Sequence, residues 1–312
     1  MRVVFMGTPA FAVPTLAALH QSGHDVVSVM TQPDRPSGRG RHLTPPPVKV
    51  SALELSLPVV QPERVKDPGV LERLRTDRPG VIVVVGYGQI IPQTIISLPP
   101  HGCVNVHASL LPKYRGAAPI QWAIANGETR TGVTTMHIEK RLDAGDILLQ
   151  RETEISPGET APDLAGRLAP MGASLLIETL ERLEAGTIVA RKQDDAEATY
   201  APILKREDGR IKWSRNAREI LNRIRGFEPW PGSYTGFRGK RLHIRKASVV
   251  EGAPHRPGVI SFSGAELLVS CGEGTSLLVE EVQLEGKTRT SAGDFVRGHR
   301  PQPGESLEES KL

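Results

Sequence analysis

R-V-V-F-M-G-T-P-A-F-A-V-P-T-L-A-A-L-H-Q-S-G-H-D-V-V-S-V-M, residues 2–30, decides the fold. Arg2–Met6 reads as a buried strand, and Gly7-Thr8-Pro9 turns the chain. Pro14 suits the first turn of a helix running to about Gln21, where its fixed φ fits and its missing N–H is not needed. Gly23 breaks that helix and Val26–Met30 is the next strand. Strand–helix–strand with connections this short implies a parallel sheet with a right-handed crossover. Further on, V-I-V-V-V at Val81–Val85 shows no polar alternation, as expected of a central strand covered by helices on both faces. Leu71–Arg75 sits in a helical stretch, and Val104–Val106 and Val133–Ile138 continue the α/β pattern. Leu164, Leu168, Leu175, Leu176, Leu180 and Leu183 form the apolar stripe of a long helix over Ala161–Leu183.

Residues 187–206 lose the helical period and include K-Q-D-D-A-E-A-T, a polar run typical of a linker. A helix over Asn216–Arg223, led by Ser214, follows it. Short apolar segments come next, at Leu242–Val250, Gly258–Phe262, Glu266–Ser270 and Ser276–Leu284, punctuated by Gly and Pro. They predict a small antiparallel barrel or curled sheet. From Pro301 the chain is rich in Pro, Glu and Ser and is expected to be disordered. The division expected is therefore a first domain over 1–188, a linker over 189–206, a second domain over 207–300 and a tail over 301–312.

A chain of 312 residues is long for one core and natural for two. With 38% apolar residues it needs no disulfides, and Cys103 and Cys271 match no redox or metal spacing, so both are expected as reduced thiols in a cytoplasmic protein. The longest apolar run is too short to span a bilayer, and the N-terminal strand and turn do not read as a secretory signal. Charge is uneven: residues 207–300 carry +5 of a net +4, the remaining 218 residues summing to −1. A mildly basic second domain suits a polyanion such as nucleic acid, and equally an ordinary soluble surface. Residues 33–49, P-D-R-P-S-G-R-G-R-H-L-T-P-P-P-V-K, read as a structureless basic insertion, with Arg35, Arg39, Arg41 and Lys49 set against Asp34. Insertions of this size are more often functional than idle, and arginines among glycines make a phosphate-gripping arm.

The chemistry is concentrated in N-V-H-A-S-L-L-P-K-Y-R-G, Asn105–Gly116. Asn105 and His107 are two residues apart, so on a strand they share a face, at the sheet edge where open α/β sheets bind ligands. An amide can hold a developing oxyanion and an imidazole can take a proton near neutral pH. Asp143, in L-D-A-G-D-I at 142–147, would orient and support the imidazolium if its loop folds over the same edge. Together the three suit transfer of an acyl-level carbon to an amine that attacks directly. Ser109 as a covalent nucleophile is a weaker alternative, since there is no G-x-S-x-G elbow. No local cluster has zinc spacing, and G-T-P-A-F-A lacks the dinucleotide-binding order. In V-V-G-Y-G-Q-I-I-P, residues 84–92, Gly86 and Gly88 leave room for a flat ligand, whereas Tyr87 reads as packing.

The order of these motifs resembles the folate-dependent formyltransferase family over nearly the whole length: F-M-G-T-P at 5–9, T-Q-P-D-R-P-S-G-R-G-R at 31–41, residues 84–92, N-V-H-A-S-L-L-P-K-Y-R-G-A-A-P-I at 105–120, T-G-V-T-T-M at 131–136, L-D-A-G-D-I at 142–147, I-K-W at 211–213 and P-W-P-G at 229–232. Lys113 and Ala144 stand where the family often has Arg and Thr. The resemblance implies a Rossmann-like parallel-sheet domain followed by an OB-like β-barrel, and a formyl donor, 10-formyltetrahydrofolate, with no metal. It implies Asn105, His107 and Asp143 as the catalytic trio. The folate is expected on Gly86, Tyr87, Gly88, Gln89, Ile90 and Ile91, on Ser109, Leu110, Leu111 and Pro112, and on Leu142 and Asp143. The basic insertion at 33–49 resembles the branch whose acceptor is methionyl-initiator tRNA, with Arg35, Arg39, Arg41 and Lys49 on the acceptor end and the barrel supporting the tRNA. Relatives acting on glycinamide ribonucleotide lack that insertion and the second domain. The expected protein is a monomer, with neither membrane nor obligate protein partner. A non-enzymatic RNA-binding module would leave the intact trio unexplained.

Overall fold

The computed structural model describes residues 1–37, 42–251, 255–263 and 266–307. They divide into two compact units. The first comprises Met1–Pro119, Arg130–Glu154 and Ala165–Ala201. The second comprises Ile120–Thr129, Ile155–Leu164 and the chain from Pro202 onward.

Strands in chain order are β1 (Arg2–Gly7), β2 (Asp25–Met30), β3 (Arg35–Ser37), β4 (His42–Thr44), β5 (Val59–Val60), β6 (Val81–Val85), β7 (Cys103–His107), β8 (Arg115–Gly116), β9 (Arg130–His137), β10 (Ile147–Glu154) and β11 (Tyr200–Ala201). Helices are α1 (Val13–Gln21), α2 (Pro47–Glu54), α3 (Pro68–Asp77), α4 (Gln93–Ile96), α5 (Pro119–Ala125) and α6 (Ala161–Glu184). The main sheet of the first unit runs β10-β9-β7-β6-β1-β2-β5. The pairs from β7 to β5 are parallel, as the opening residues predict. The chain leaves β1 toward β2 and β5, then returns to its other side as β6, so the strand order reverses between β1 and β6. Crevices at such a point, outside the carboxyl ends of the strands, hold ligands in open α/β sheets.

The unbroken apolar runs have the expected cause. Val3, Phe5, Val81, Val83, Val85, Val104 and Val106 pack with Leu16, Leu19, Val48, Ala52, Leu176 and Leu180 on one face. Val4, Met6, Ile82, Val84 and Cys103 pack with Val70, Leu74, Ile95 and Ile96 on the other. Alternate residues thus meet helices on opposite faces.

Three local expectations are corrected. Val133–Ile138 does not extend the parallel pattern: β9 is antiparallel to both β7 and β10. A buried β-branched run carries no signal of strand direction. The insertion at 33–49 is not structureless, because β3 and β4 pair antiparallel and Pro47 starts α2, whose Val48 and Ala52 join the core. The polar run at 189–206 is tied down, with Arg191 bridged to Ile147 and β11 paired to β8.

The second unit holds β12 (Ser233–Phe237), β13 (Lys240–Glu251), β14 (Ile260–Ser263), β15 (Glu266–Ser270), β16 (Thr275–Leu284), β17 (Thr290–Ser291), α7 (Ala217–Gly226) and α8 (Ala292–His299). Its antiparallel sheet runs β12-β13-β16-β15-β14, with β17 on β16. Phe237 of β12 and Ile260 of β14, from the two end strands, share one core with Trp213, Ile220 and Phe295. A sheet whose two ends reach one core is curled around it. Helix α7 is capped by Asn216 rather than led by Ser214, since the Asn216 side chain accepts the Glu219 N–H. Pro301–Leu307 is packed rather than disordered, with Leu307 4% exposed in that core and Ser306 bridged to Val259. Among the described residues, no helix is long and apolar enough to cross a membrane.

Candidate active site

Strand β7 places Cys103, Asn105 and His107 in one row. Cys103 lies in the core beneath α4, and His107 ends the strand. Asn105 lies between Val84 and Met136. It is half-buried, and its side-chain amide makes no hydrogen bond among the described residues. At the carboxyl end of the sheet the amide is therefore free for a ligand.

His107 is 6% exposed, and its Nε2 lies 2.9 Å from the carbonyl oxygen of Tyr114. A carbonyl can only accept, so Nε2 carries a proton, and in the neutral ring Nδ1 holds the free lone pair. That nitrogen is 3.8 Å from Oδ2 of Asp143. The separation is too long for a hydrogen bond. Protonating Nδ1 turns it into an ion pair. The Asp143 carboxylate is held by the Gly116 N–H at 2.8 Å, and its backbone is left-handed, φ 47°. Tyr114 is also left-handed, φ 61°, with its N–H donated to Thr199 Oγ1 at 2.9 Å. The fold thus brings together His107 and Asp143, which stand 36 positions apart in the chain, with Asn105 on the same strand as His107.

Ser109, the alternative nucleophile, is fully buried and its hydroxyl donates to the Lys113 carbonyl at 2.6 Å. The Ser109 carbonyl accepts from Thr134 Oγ1, which also takes the Leu111 N–H. Gln150 donates to the Leu111 carbonyl at 2.9 Å, and Leu111 packs with Met136 and Ile147. Leu110 and Pro112 are half-buried.

Gly86 and Gly88 both have positive φ, 58° and 86°, so the loop after β6 depends on glycine. The Tyr87 carbonyl accepts from Thr8 Oγ1 and Gln32 Nε2, which joins this loop to those after β1 and β2. Tyr87 itself is 2% exposed in the core, its hydroxyl has no partner among the described residues, and burial pushes that hydroxyl up to about 12. Gln89 is spent on the Val65 N–H and the Glu63 carbonyl, and Ile91 is buried. Of the residues expected on the folate, Ile90 and Leu142 present side chains to solvent, and Gly86 and Gly88 present backbone.

Of the cations expected on the tRNA, Arg35 pairs with Glu63 at 3.0 Å and Lys49 with Asp34 at 2.7 Å. Arg39 and Arg41 lie outside the described residues. Among the described residues, no group of three or more His, Cys, Asp or Glu could hold a metal ion.

Two residues that motif reading missed stand behind Asp143. Gln193 donates to the carbonyls of Asp143 and Gly145 at 2.9 and 2.8 Å. Arg115 donates to Gln193 and to Asp195. Gln193 lies in the polar run that carried only the composition of a linker, and Arg115 lies in the Asn105–Gly116 motif, where it had no role assigned.

The family model described as formyl transferase matches residues 1–180, and the one described as formyl transferase, C-terminal domain, matches residues 203–300. The chain belongs to the formyl transferase family. Among its relatives, the methionyl-tRNA formyltransferase of Solibacter usitatus (strain Ellin6076) is 58% identical, covering 100% of both chains. That of Koribacter versatilis (strain Ellin345) is 56% identical over 98% of each. The crystal structure of WlaRD, a sugar 3N-formyl transferase in the presence of dTDP and 5-N-formyl-THF, matches with a TM-score of 0.67 at 19% identity, covering 92% of this chain and 99% of that one. At that identity the likeness is one of fold.

Proposed function

We propose that this formyl transferase moves a formyl group from 10-formyltetrahydrofolate to the α-amino group of methionyl-initiator tRNA in the cytoplasm, giving N-formylmethionyl-tRNA and tetrahydrofolate. The His107–Asp143 geometry carries this reading: an imidazole with its lone pair on Nδ1, a carboxylate 3.8 Å from it, and a free amide on the same strand. The full-length relatives support the acceptor. The residues also suit the donor, since the Gly86–Gly88 turn leaves backbone open at the reversal of strand order and the Asn105 amide is unspent.

The folate supplies a formyl carbon that an amine can attack, and it leaves as an amine. The chain does the rest. Asn105 donates its amide N–H to the formyl oxygen, where negative charge grows as the amine adds. Nδ1 of His107 takes the proton the attacking amine must lose and passes it to the departing nitrogen. Asp143 stabilises the imidazolium between those two transfers, and Nε2 stays tied to Tyr114, fixing the ring. The test is formylation of charged initiator tRNA by the purified protein with 10-formyltetrahydrofolate. Asn105→Ala and His107→Ala should each cut kcat about 100-fold or more with little change in either KM, as for loss of an oxyanion donor or a general base. Near-normal single-turnover rates in both would remove these roles.

A further inference from the structure

Gln193 lies in a run whose neighbours on both sides are exposed, yet it is half-buried and uses both ends of its amide. Its Oε1 accepts from Nε and Nη2 of Arg115, at 3.0 and 2.9 Å. Its Nε2 donates to the carbonyl oxygens of Asp143 and Gly145. Arg115 is 3% exposed, and its remaining nitrogen Nη1 donates to Asp195 at 2.9 Å. The other oxygen of Asp195 takes Arg141 at 2.6 Å, two residues before Asp143. Both arginines hold the Asp195 carboxyl below the usual carboxylate range, Arg141 first.

We propose that Gln193 is a positioning residue for Asp143, and that Arg115 holds Gln193 in place for it. The inference rests on the reading that Asp143 supports His107. The left-handed backbone at Asp143 costs free energy and persists only where surroundings hold it. Gly116 fixes the carboxylate and Gln193 fixes the two carbonyls of the turn. Gly145 presses so close to the His137 carbonyl that a Cβ would stand 1.8 Å from it. Only an amide can accept two N–H groups from an arginine at one end and donate two to carbonyls at the other. A carboxylate there keeps Arg115 paired and turns an acceptor toward two acceptors.

Gln193→Glu is therefore the discriminating variant: it preserves size and the Arg115 contact and removes the hold on the turn. It is measured in the full-length protein with Asp143→Asn and the double variant, reading kcat, KM for both substrates and thermal unfolding. The expected result is a kcat loss of about 10- to 100-fold with KM held within about two-fold, since a small misplacement of a reacting group costs rate rather than affinity. Combined with Asp143→Asn, the substitution should add almost nothing, because residues acting through one another are non-additive. A kcat within two-fold of the parent, or losses that multiply in the double variant, would overturn the proposal. If Asp143→Asn alone leaves kcat intact, the trio reading falls with it; if Asp143→Asn is slow and Gln193→Glu is not, only this inference falls. Gln193→Ala runs in the same cycle and carries the test if the glutamate variant does not fold.

Discussion

Replacing Asp143 with Asn tests the electrostatics of the site in isolation. Asparagine keeps the size of the side chain and an oxygen for the Gly116 N–H, so the turn has no steric reason to move. What is lost is the negative charge 3.8 Å from His107 Nδ1. Two unit charges at that distance attract by about 4 kcal/mol at an effective dielectric of 20. At 1.36 kcal/mol per decade of rate that is an upper limit of about 1000-fold, and partial solvation of the carboxylate leaves an expected kcat loss of about 100-fold or more. The charge matters only once Nδ1 is protonated, so KM for folate and for charged tRNA should change by less than about three-fold. The assay is single-turnover formylation under saturating folate, quenched on the millisecond scale, with intact folding checked by thermal unfolding. A rate within five-fold of the parent would refute the ion-pair argument, and so would a loss confined to KM.

Gly145→Ala should destabilise the protein by about 1–3 kcal/mol in urea unfolding, since its Cβ must displace the His137 backbone, and kcat should fall with it. An unchanged midpoint would show that the turn has room. Tyr87→Phe should leave stability equal or raise it by up to about 1 kcal/mol, because it removes a buried hydroxyl without a partner. A loss of folate affinity in that variant would instead put the hydroxyl in the binding site. His243 is pushed down to about 4, first by burial and then by Arg245 and Arg241. The unfolded chain then binds the extra proton first, so this group withdraws stability as pH falls from about 6.5 to 4. His243→Gln should flatten the fall of the urea midpoint between pH 7 and 5, and an unaltered slope would count against it.

The first unit was legible where local chemistry decides structure. Pro14, Gly23 and the β-branched runs mark β1, α1, β2 and β6 because each limits the backbone by itself. Direction within the sheet was not legible, since β9 is as buried and as β-branched as a parallel strand and its partner decides its sense. Helix α8 escaped for a related reason. A-G-D-F-V-R-G-H holds two glycines and has poor helix propensity. It forms because Phe295 is buried against Phe237 and the Ser291 side chain takes the Asp294 N–H. The polar composition that marked 189–206 as a linker is the composition a hydrogen-bonding strap needs. Gln193 and Asp195 are polar because they hold Arg115 and the Asp143 turn.

The same distinction runs through the site. Asn105 and His107 could be paired by spacing, since period two on a strand is local. Asp143 could be named as a candidate, but its approach to His107 depends on the Gly116 amide and on Gln193, 27 and 50 positions away. The tautomer of His107 was beyond reach of any motif, because it is set by the main-chain carbonyl of Tyr114. Every residue has a carbonyl, so a carbonyl leaves no mark in a sequence. In the proposed mechanism it nevertheless decides which nitrogen is the base: with Nε2 tied to Tyr114, Nδ1 is left to take a proton, and Nδ1 is the nitrogen that faces Asp143. In the proposed mechanism the motif's side chains supply the reacting groups, and main-chain atoms of the same motif, at Tyr114 and Gly116, determine how those groups are used.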